Sequence, residues 1–129
     1  MAFDLAALPG PVLGFLHERH LATLTTMRPD GSPHVSPVGF SYDADARIVR
    51  IITFPAAAKV RHAAAGGRAA VCQVDGRRWL TLEGNVRVVD EPGAVGAAVA
   101  GYADRYRQPG ERADRVAIEI DVDRIMGHA

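Results

Sequence analysis

Short runs of β-branched and apolar residues, separated by turn signals, constrain the fold of this 129-residue chain more than any other feature. The run RIVRIITF is too short and too continuous for an amphipathic helix, and RVAIEIDV alternates apolar with acidic residues, so both are typical of strands. The segment RPDGSP favours a tight turn between antiparallel strands. Because closing a small sheet removes its exposed edges, we expect a mainly β barrel of six strands with about three helices.

The predicted elements follow one another along a single domain, residues 1–129. Alanine-rich AAAKVRHAAAGG ends in a double glycine that stops a helix, and EPGAVGAAVAGYADRYR starts with an acidic residue and a proline. We predict helices at residues 10–19, 57–65 and 92–106. The predicted strands are residues 20–27, 33–41, 47–54, 68–74, 79–90 and 115–122. Within the fifth strand, Gly84 predicts a bulge or bend.

Charge and cysteine usage limit the partners and the compartment. Fifteen basic and fifteen acidic residues give a formal net charge of zero, which argues against a uniformly basic nucleic-acid surface and against electrostatic attachment to a membrane. No apolar run approaches the roughly 18–20 residues that cross a bilayer. The lone Cys72 and the absence of a basic leader favour the cytoplasm. A domain of this size leaves about a third of its chain surface exposed, which favours a homodimer and a small-molecule ligand.

Motifs for metal binding and for common catalytic mechanisms are weak. His17 and His20 give the spacing H-x-x-H, but no third ligand follows at a metal-binding distance and Cys72 stands alone in an apolar strand. The chain contains no G-x-S-x-G, P-loop or G-x-G-x-x-G motif. We therefore predict no metal site and assign no catalytic side chain.

Two cations at the start of the second predicted helix indicate an anion site. Lys59, the only lysine of the chain, and Arg61 lie where the helix dipole disfavours positive charge. A phosphate there would offset that cost, because backbone N–H groups and charged side chains would both contact it. The alternative is that both are solvated surface cations of an arginine-rich chain.

A second candidate site is the predicted strand SPHVSPVGF. Pro37 removes one donor from the strand ladder and Gly39 opens space, so this edge could face a flat ligand; the alternative is an ordinary edge strand. Trp79, the only tryptophan, follows Arg78 at a predicted hairpin, and we expect it to pack at an interface.

The order of these segments resembles a known family. The segments LATLTTMRPDGSPHVSPVGFSYD, IITFPAAAKVRHA, AAVCQVDGRRWLTLEGNVRVV and RVAIEIDVDRIMG are similar to the split β-barrel of the pyridoxamine 5'-phosphate oxidase-like flavin and deazaflavin proteins, and the similarity covers nearly the whole chain. ERHLATLTT, QVDGRRWLTLEG and ADRYRQP most resemble the members that use coenzyme F420, which include biliverdin reductases.

The resemblance implies a homodimer with two cofactor sites at the subunit interface. It implies that Lys59 and Arg61 contact the cofactor phosphate and that Thr53 adds a hydroxyl group. It places a strand beside the cofactor ring, partly through its backbone, and this strand comprises His34, Val35, Ser36, Pro37, Val38 and Gly39. By weaker analogy, Gln73, Arg78 and Trp79 would approach the cofactor from the partner subunit.

The resemblance also implies an activity. We expect an F420H2-dependent reductase that transfers a hydride to a conjugated small molecule such as biliverdin. An FMN-binding oxidoreductase of the same fold is the alternative, although Ala57 and Ala58 stand where FMN-using members often carry Arg or Ser. A third possibility is a non-enzymatic carrier of a flavin, a deazaflavin or haem, with His17, His20 or His34 as the haem ligand.

Overall fold

The computed structural model describes residues 2–129, which form one antiparallel sheet and three helices. The helices are α1 (Gly10–His17), α2 (Ala58–Ala64) and α3 (Pro92–Arg105). The strands are β1 (Ala22–Met27), β2 (Pro33–Val38), β3 (Ser41–Asp43), β4 (Ile48–Thr53), β5 (Arg68–Asp75), β6 (Arg78–Val89) and β7 (Val116–His128). The fold is therefore mainly β, as the sequence predicts.

The sheet curls into a split barrel because its two ends are joined by a very short connection. The strand order is β2-β1-β5-β6-β7-β4-β3, so β2 and β3 are the edge strands. Only Gly39 and Phe40 separate β2 from β3, which brings the two ends of the sheet together. Alternate residues of each strand point inward, and Leu24, Ile51 and Leu82 are among the fully buried core residues. An opening remains between β2 and β4.

The predicted count of six strands is wrong, because the segment predicted as one strand at 33–41 forms two. The backbone groups of Phe40 bond to side chains of α3 and its C-cap instead of to a neighbouring strand. The Phe40 N–H donates to the Tyr106 hydroxyl over 3.3 Å, and the Arg105 guanidinium donates to the Phe40 carbonyl over 2.7 Å. The strand ladder is therefore interrupted at Phe40, and the sheet has seven strands.

The last two strands are long, and their pairing contains the predicted bulge. Glu83 pairs with Arg124 but Gly84 pairs with Val122, so the register shifts between Glu83 and Gly84 and Asp123 is the extra residue. The predicted end of the last strand at residue 122 is wrong, since β7 continues to His128. The charged residues around the bulge interrupt the alternation that marks the first half of β7.

The helices close the barrel and begin or end close to the predicted residues. Pro9 precedes α1, which ends at His17 where Glu18 becomes extended, two residues before the predicted end. In α3 the Glu91 side chain accepts a hydrogen bond of 2.7 Å from the Ala94 N–H, which caps the first turn. The seven residues of α2 follow directly after β4 and contact β1 and β6.

Candidate functional site

A cavity of about 310 Å³ opens in the split between β2 and β4. Its size is at the lower end of the range of small-molecule sites. Among residues 2–129, Lys59 and Arg107 are the only charged residues that line it. The other lining residues are Pro37, Val38, Gly39, Ile51, Ile52, Tyr102, Pro109 and Gly110. The structure thus brings the predicted strand edge and the predicted lysine together in one cavity.

One wall of this cavity depends on Gly39, because glycine has no Cβ atom. A Cβ atom at Gly39 would lie 3.1 to 3.2 Å from ring carbons of Tyr102 and Tyr106, closer than nearly all such contacts in proteins. The two tyrosine rings lie 4.9 Å apart and fill the space beside the strand. Glycine therefore allows α3 to pack against the end of β2 and to form one side of the cavity.

Several predicted site residues carry buried polar atoms without a hydrogen-bond partner in residues 2–129. These atoms are Nδ1 of His34, Oγ of Ser36 and Oγ1 of Thr53. Ser36 lies on β2 and Thr53 ends β4, so the two hydroxyls come from the strands on the two sides of the split. A buried polar atom without a partner costs about 1–3 kcal/mol, and a ligand with polar groups could satisfy these atoms. The residues present therefore fit a cofactor that carries polar groups.

His34 also contacts a second histidine, which the sequence reasoning did not single out. The rings of His34 and His62 meet edge to face with their centroids 4.9 Å apart, and Nδ1 of His62 lies 3.3 Å from the Thr26 hydroxyl. Desolvation, followed by the charges of His34, Arg28 and Arg61, lowers the pKa of His62 below its usual value of 6.5. His62 is therefore neutral at pH 7.

Arg61 does not share a cavity with Lys59. It lines a separate cavity of about 450 Å³ on the other side of α2, together with Arg28 and His62. Its guanidinium donates a long hydrogen bond of 3.4 Å to the Ala56 carbonyl. Lys59 and Arg61 are two positions apart, so their side chains project from different faces of the short helix.

Gln73, Arg78 and Trp79 are not among the residues that line the cavity of Lys59. Gln73 is fully buried, and its amide donates to the Phe15 carbonyl over 3.0 Å and accepts from Arg105 over 2.6 Å. Arg78 and Trp79 begin β6, whereas the segment that follows α2 contacts the second half of this strand, where the Val86 N–H donates to the Gly67 carbonyl. Within one protomer these three residues therefore do not reach the cavity.

The histidines considered as metal or haem ligands lie apart. His17 lines a third cavity, between α1 and α3, and His34 packs on His62. His20 lies beyond the end of α1, where its Nε2 is 2.9 Å from Oε1 of Glu18. Because α1 ends at His17 and His20 lies beyond it, the two histidines of the H-x-x-H spacing do not share a helix.

A charged cluster forms around His20, between the end of α1 and the turn that joins β5 to β6. Glu18, His20 and Asp75 place one ligand atom each within 4.8 Å of one another. Arg78 bonds to both carboxylates, over 2.8 Å to Glu18 and 2.6 Å to Asp75, and therefore occupies the space between them. The hydrogen bonds from Arg78 and His20 lower the pKa of Glu18 from 4.5 to about 2.

Sequence reasoning missed six of the residues that line the cavity, and Tyr102 and Arg107 are the two of them with polar side chains. Both come from the end of α3 and the segment after it, which the fold brings across to the split. The signal in the sequence is the concentration of aromatic and basic residues in YADRYRQPG, most of which belongs to the segment ADRYRQP of the family resemblance.

Comparison with known proteins identifies the class of this fold and site. Residues 9–129 match the family model described as pyridoxamine 5'-phosphate oxidase. The chain therefore belongs to the pyridoxamine 5'-phosphate oxidase family, and its barrel is the split barrel of that family.

Relatives within the family are more specific. The chain is 47% identical over 122 residues to the F420H2-dependent biliverdin reductase of Mycobacterium tuberculosis, with 95% of this chain and 89% of that protein covered. A solved F420 reductase has a TM-score of 0.74 at 27% identity, with 92% of this chain and 98% of that one covered. The heme storage protein HutZ of Vibrio cholerae shares the fold, with a TM-score of 0.74 at 13% identity. The comparison covers 92% of this chain and 93% of that one.

The three helices have 8, 7 and 14 residues. In residues 2–129 none of them combines the length and the apolar character needed to cross a membrane.

Proposed function

We propose that this protein is an F420H2-dependent reductase and that biliverdin is a substrate. The observation that carries the proposal is the coincidence of two findings. A relative named for this activity is 47% identical along almost the whole chain, and four of the predicted cofactor residues, Pro37, Val38, Gly39 and Lys59, line one cavity of the split barrel. We expect the cytoplasm as the compartment, because Cys72 has no second cysteine for an intrachain disulfide.

The cofactor would bind in the split between β2 and β4. The ring would lie against the strand His34 to Gly39, whose exposed edge lacks a strand partner on the side of the split. Lys59 would contact the phosphate, and the unpartnered hydroxyls of Ser36 and Thr53 would gain hydrogen bonds. The structure gives Arg61 no direct access to this cavity, so its predicted phosphate contact would require a ligand that extends around α2.

Reduced F420 supplies a hydride when it is bound, so the work of this chain is binding and orientation. The apolar side chains of Ile51, Ile52 and Pro37 line the cavity and would exclude water from the ring. No Asp, Glu or His lines the cavity in the described part of the chain, and a general acid works best with a pKa near the working pH. We therefore expect the proton that the substrate takes up to come from water.

We also propose that the protein is a homodimer. The outward side chains of β1, β2, β5 and β6 form an apolar and uncharged surface over most of its area, which we call the outer face. Its members include Thr23, Thr25, Met27, Val35, Pro37, Ala70, Cys72, Val74, Trp79 and Thr81. A surface of this kind, free of charge at its centre, suits a protein interface. A second copy on this face would allow Trp79 of the partner subunit to approach the cavity.

The activity is tested by following the oxidation of F420H2 at its absorbance maximum with and without biliverdin. We expect consumption of F420H2 that depends on both biliverdin and protein, with formation of bilirubin. Reduced FMN and NADPH serve as alternative donors in parallel reactions. Turnover with reduced FMN and none with F420H2 would replace the proposal with an FMN-dependent oxidoreductase, and turnover with neither would overturn the reductase assignment for biliverdin.

A further inference from the structure

The charges around the split cavity are unbalanced. Lys59 and Arg107 both line it, and no acidic residue of the described part of the chain does. Most of the other cations of the described chain pair with a carboxylate or a backbone carbonyl, as Arg50 does with Asp43 and Arg115 with Gly110. Neither Lys59 nor Arg107 has a carboxylate within 4 Å in residues 2–129.

Two unpaired cations on one small cavity favour an anionic occupant. Like charges on the walls of a cavity repel each other, and this repulsion is screened less where apolar walls such as Ile51 and Ile52 exclude water. A bound phosphate would remove the repulsion and would accept charge-assisted hydrogen bonds from both side chains.

The segment that carries Arg107 is fixed in place on both sides. The preceding residue, Tyr106, is buried, and its hydroxyl donates to the His20 carbonyl over 2.6 Å. Further along the segment, the Arg112 guanidinium lies 4.3 Å from the centre of the Phe54 ring, just before α2. The backbone at Arg107 is therefore held beside the cavity before any ligand binds, which reduces the entropy lost on binding.

Arg61 lacks this placement. It lines the cavity on the other side of α2, beside Arg28 and His62, and its guanidinium is directed to the Ala56 carbonyl. Two cations can hold one phosphate together only if they reach the same space, and the cavity walls satisfy this condition for Lys59 and Arg107.

We propose that Arg107, rather than Arg61, is the second cation that binds the phosphate of the cofactor, opposite Lys59 in the split cavity. This inference rests on the proposed function for the identity of the cofactor. The placement of the anion site itself rests on the two cations and the cavity that they share.

The test compares ligands that differ in their phosphate. The affinities of F420 and FMN are measured by fluorescence titration for the parent protein and for Lys59→Gln, Arg107→Gln and Arg61→Gln. Riboflavin replaces FMN, and the deazaflavin without phosphate and tail replaces F420, in a second series. Arg47→Gln is the matched control, because Arg47 is exposed in the β3–β4 turn and forms no ion pair in residues 2–129. Thermal unfolding of every variant verifies that it folds.

We expect Arg107→Gln and Lys59→Gln each to weaken F420 binding by about 10- to 100-fold, the loss of one charge-assisted contact. Arg61→Gln and Arg47→Gln should change it less than about threefold. With the phosphate-free ligands, Arg107→Gln should bind as the parent does, which a general structural defect would not produce. Equal loss for ligands with and without phosphate would overturn the assignment, as would an unchanged affinity of Arg107→Gln for F420.

The two proposals fail in different ways. If the parent binds FMN but not F420, the proposed function is wrong, and the role of Arg107 is decided by the pair of FMN and riboflavin. If F420 binds and turns over but Arg61→Gln is the weak variant, the function stands and the assignment of Arg107 is wrong. A parent that binds none of the phosphate-bearing ligands overturns both.

Discussion

At the scale of single residues, Arg105 is the most connected side chain of the molecule. It is buried, and its guanidinium donates to the carbonyls of Glu18 and Phe40 and to the side-chain oxygen of Gln73, over 2.6 to 2.8 Å. Burial lowers the pKa of Arg105 below its usual value of 12.5, yet the side chain stays charged at pH 7. One residue of α3 thus joins α1, the bend after β2 and the centre of β5.

Replacing Arg105 should therefore be costly. Arg105→Ala leaves three acceptors without their donor, and we expect the free energy of unfolding to fall by about 3 kcal/mol or more. Urea denaturation followed by tryptophan fluorescence measures the loss. Arg112→Ala is the control, since the exposed pair of Arg112 with Asp114 should contribute less than about 1 kcal/mol. Similar losses for the two variants would show that water replaces the Arg105 contacts.

Gln73 shows why single residues of the site are hard to assign from sequence. The sequence suggested a polar residue near a hairpin that could meet a cofactor. In the structure its side chain is satisfied inside its own protomer by Phe15 and Arg105, which are 58 and 32 positions away in the chain. Lys59 was easier to place, because its cavity is formed partly by β4, which directly precedes α2.

At the scale of elements, an ion pair joins α1 to the hairpin of β5 and β6. Arg78 and His20 hold the pKa of Glu18 at about 2, compared with 4.5 for an ordinary glutamate. The folded protein therefore favours the ionised form of Glu18 more than the unfolded chain does. This contribution to stability is fully present above pH 4.5 and is lost as the pH falls towards 2.

The corresponding pH prediction uses Glu18→Gln, which has no carboxylate to protonate. We expect the urea midpoint of the parent to fall more steeply than that of Glu18→Gln between about pH 5 and about pH 2. The two midpoints should converge at the acidic end. Parallel curves across this range would show that the ion pair does not contribute in solution.

The pairing of β6 with β7 tolerates only glycine at the bulge. A Cβ atom at Gly84 would lie 1.7 Å from the Asp121 carbonyl oxygen, which backbone atoms cannot accommodate without moving. We expect Gly84→Ala to destabilise the protein by about 3 kcal/mol or more, measured as a fall of the unfolding midpoint or as loss of soluble protein. Gly96→Ala is the control, because no atom lies within 4 Å of its added Cβ and alanine favours the helix by about 1 kcal/mol. A harmless Gly84→Ala would contradict the observed register.

The sequence predicts most helices and strands. It does not predict the features that depend on contacts between residues far apart in the chain. Turn residues and alternation locate β1, β4, β5 and the bulge, because these signals are local. The division between β2 and β3 depends on Arg105 and Tyr106, which lie more than 60 positions away in the chain. The second cation of the cavity escapes local reasoning for the same reason, since Arg107 follows Tyr106 directly and reaches the split only in the folded barrel.

At the scale of the whole molecule, charged residues are unevenly distributed over the sheet. On the outer face, charges occur mainly at one end, where Glu83 lies 3.3 Å from Arg124 and 3.9 Å from Arg68. Elsewhere on this face Val35 is 56% exposed and Val74 62% exposed, with no charged neighbour in the pairing register. A single copy of the chain would leave these apolar side chains in water.

Thr81 lies on the outer face among uncharged neighbours, and it tests the homodimer. Its register neighbours are Cys72 on β5 and Met126 on β7, both uncharged. On a solvated surface Thr81→Glu would change stability by less than about 0.5 kcal/mol, whereas in an interface the new carboxylate would be buried without a partner at a cost of several kcal/mol. We therefore expect light scattering to give twice the 13.8 kDa chain mass for the parent and a mass near 13.8 kDa for Thr81→Glu.

Ala46→Glu, in an exposed turn, should remain dimeric. The monomeric variant should also bind F420 more weakly, if Trp79 of the partner subunit reaches the cavity. A monomeric parent would refute the homodimer, and a Thr81→Glu variant that stays dimeric would move the interface to another face.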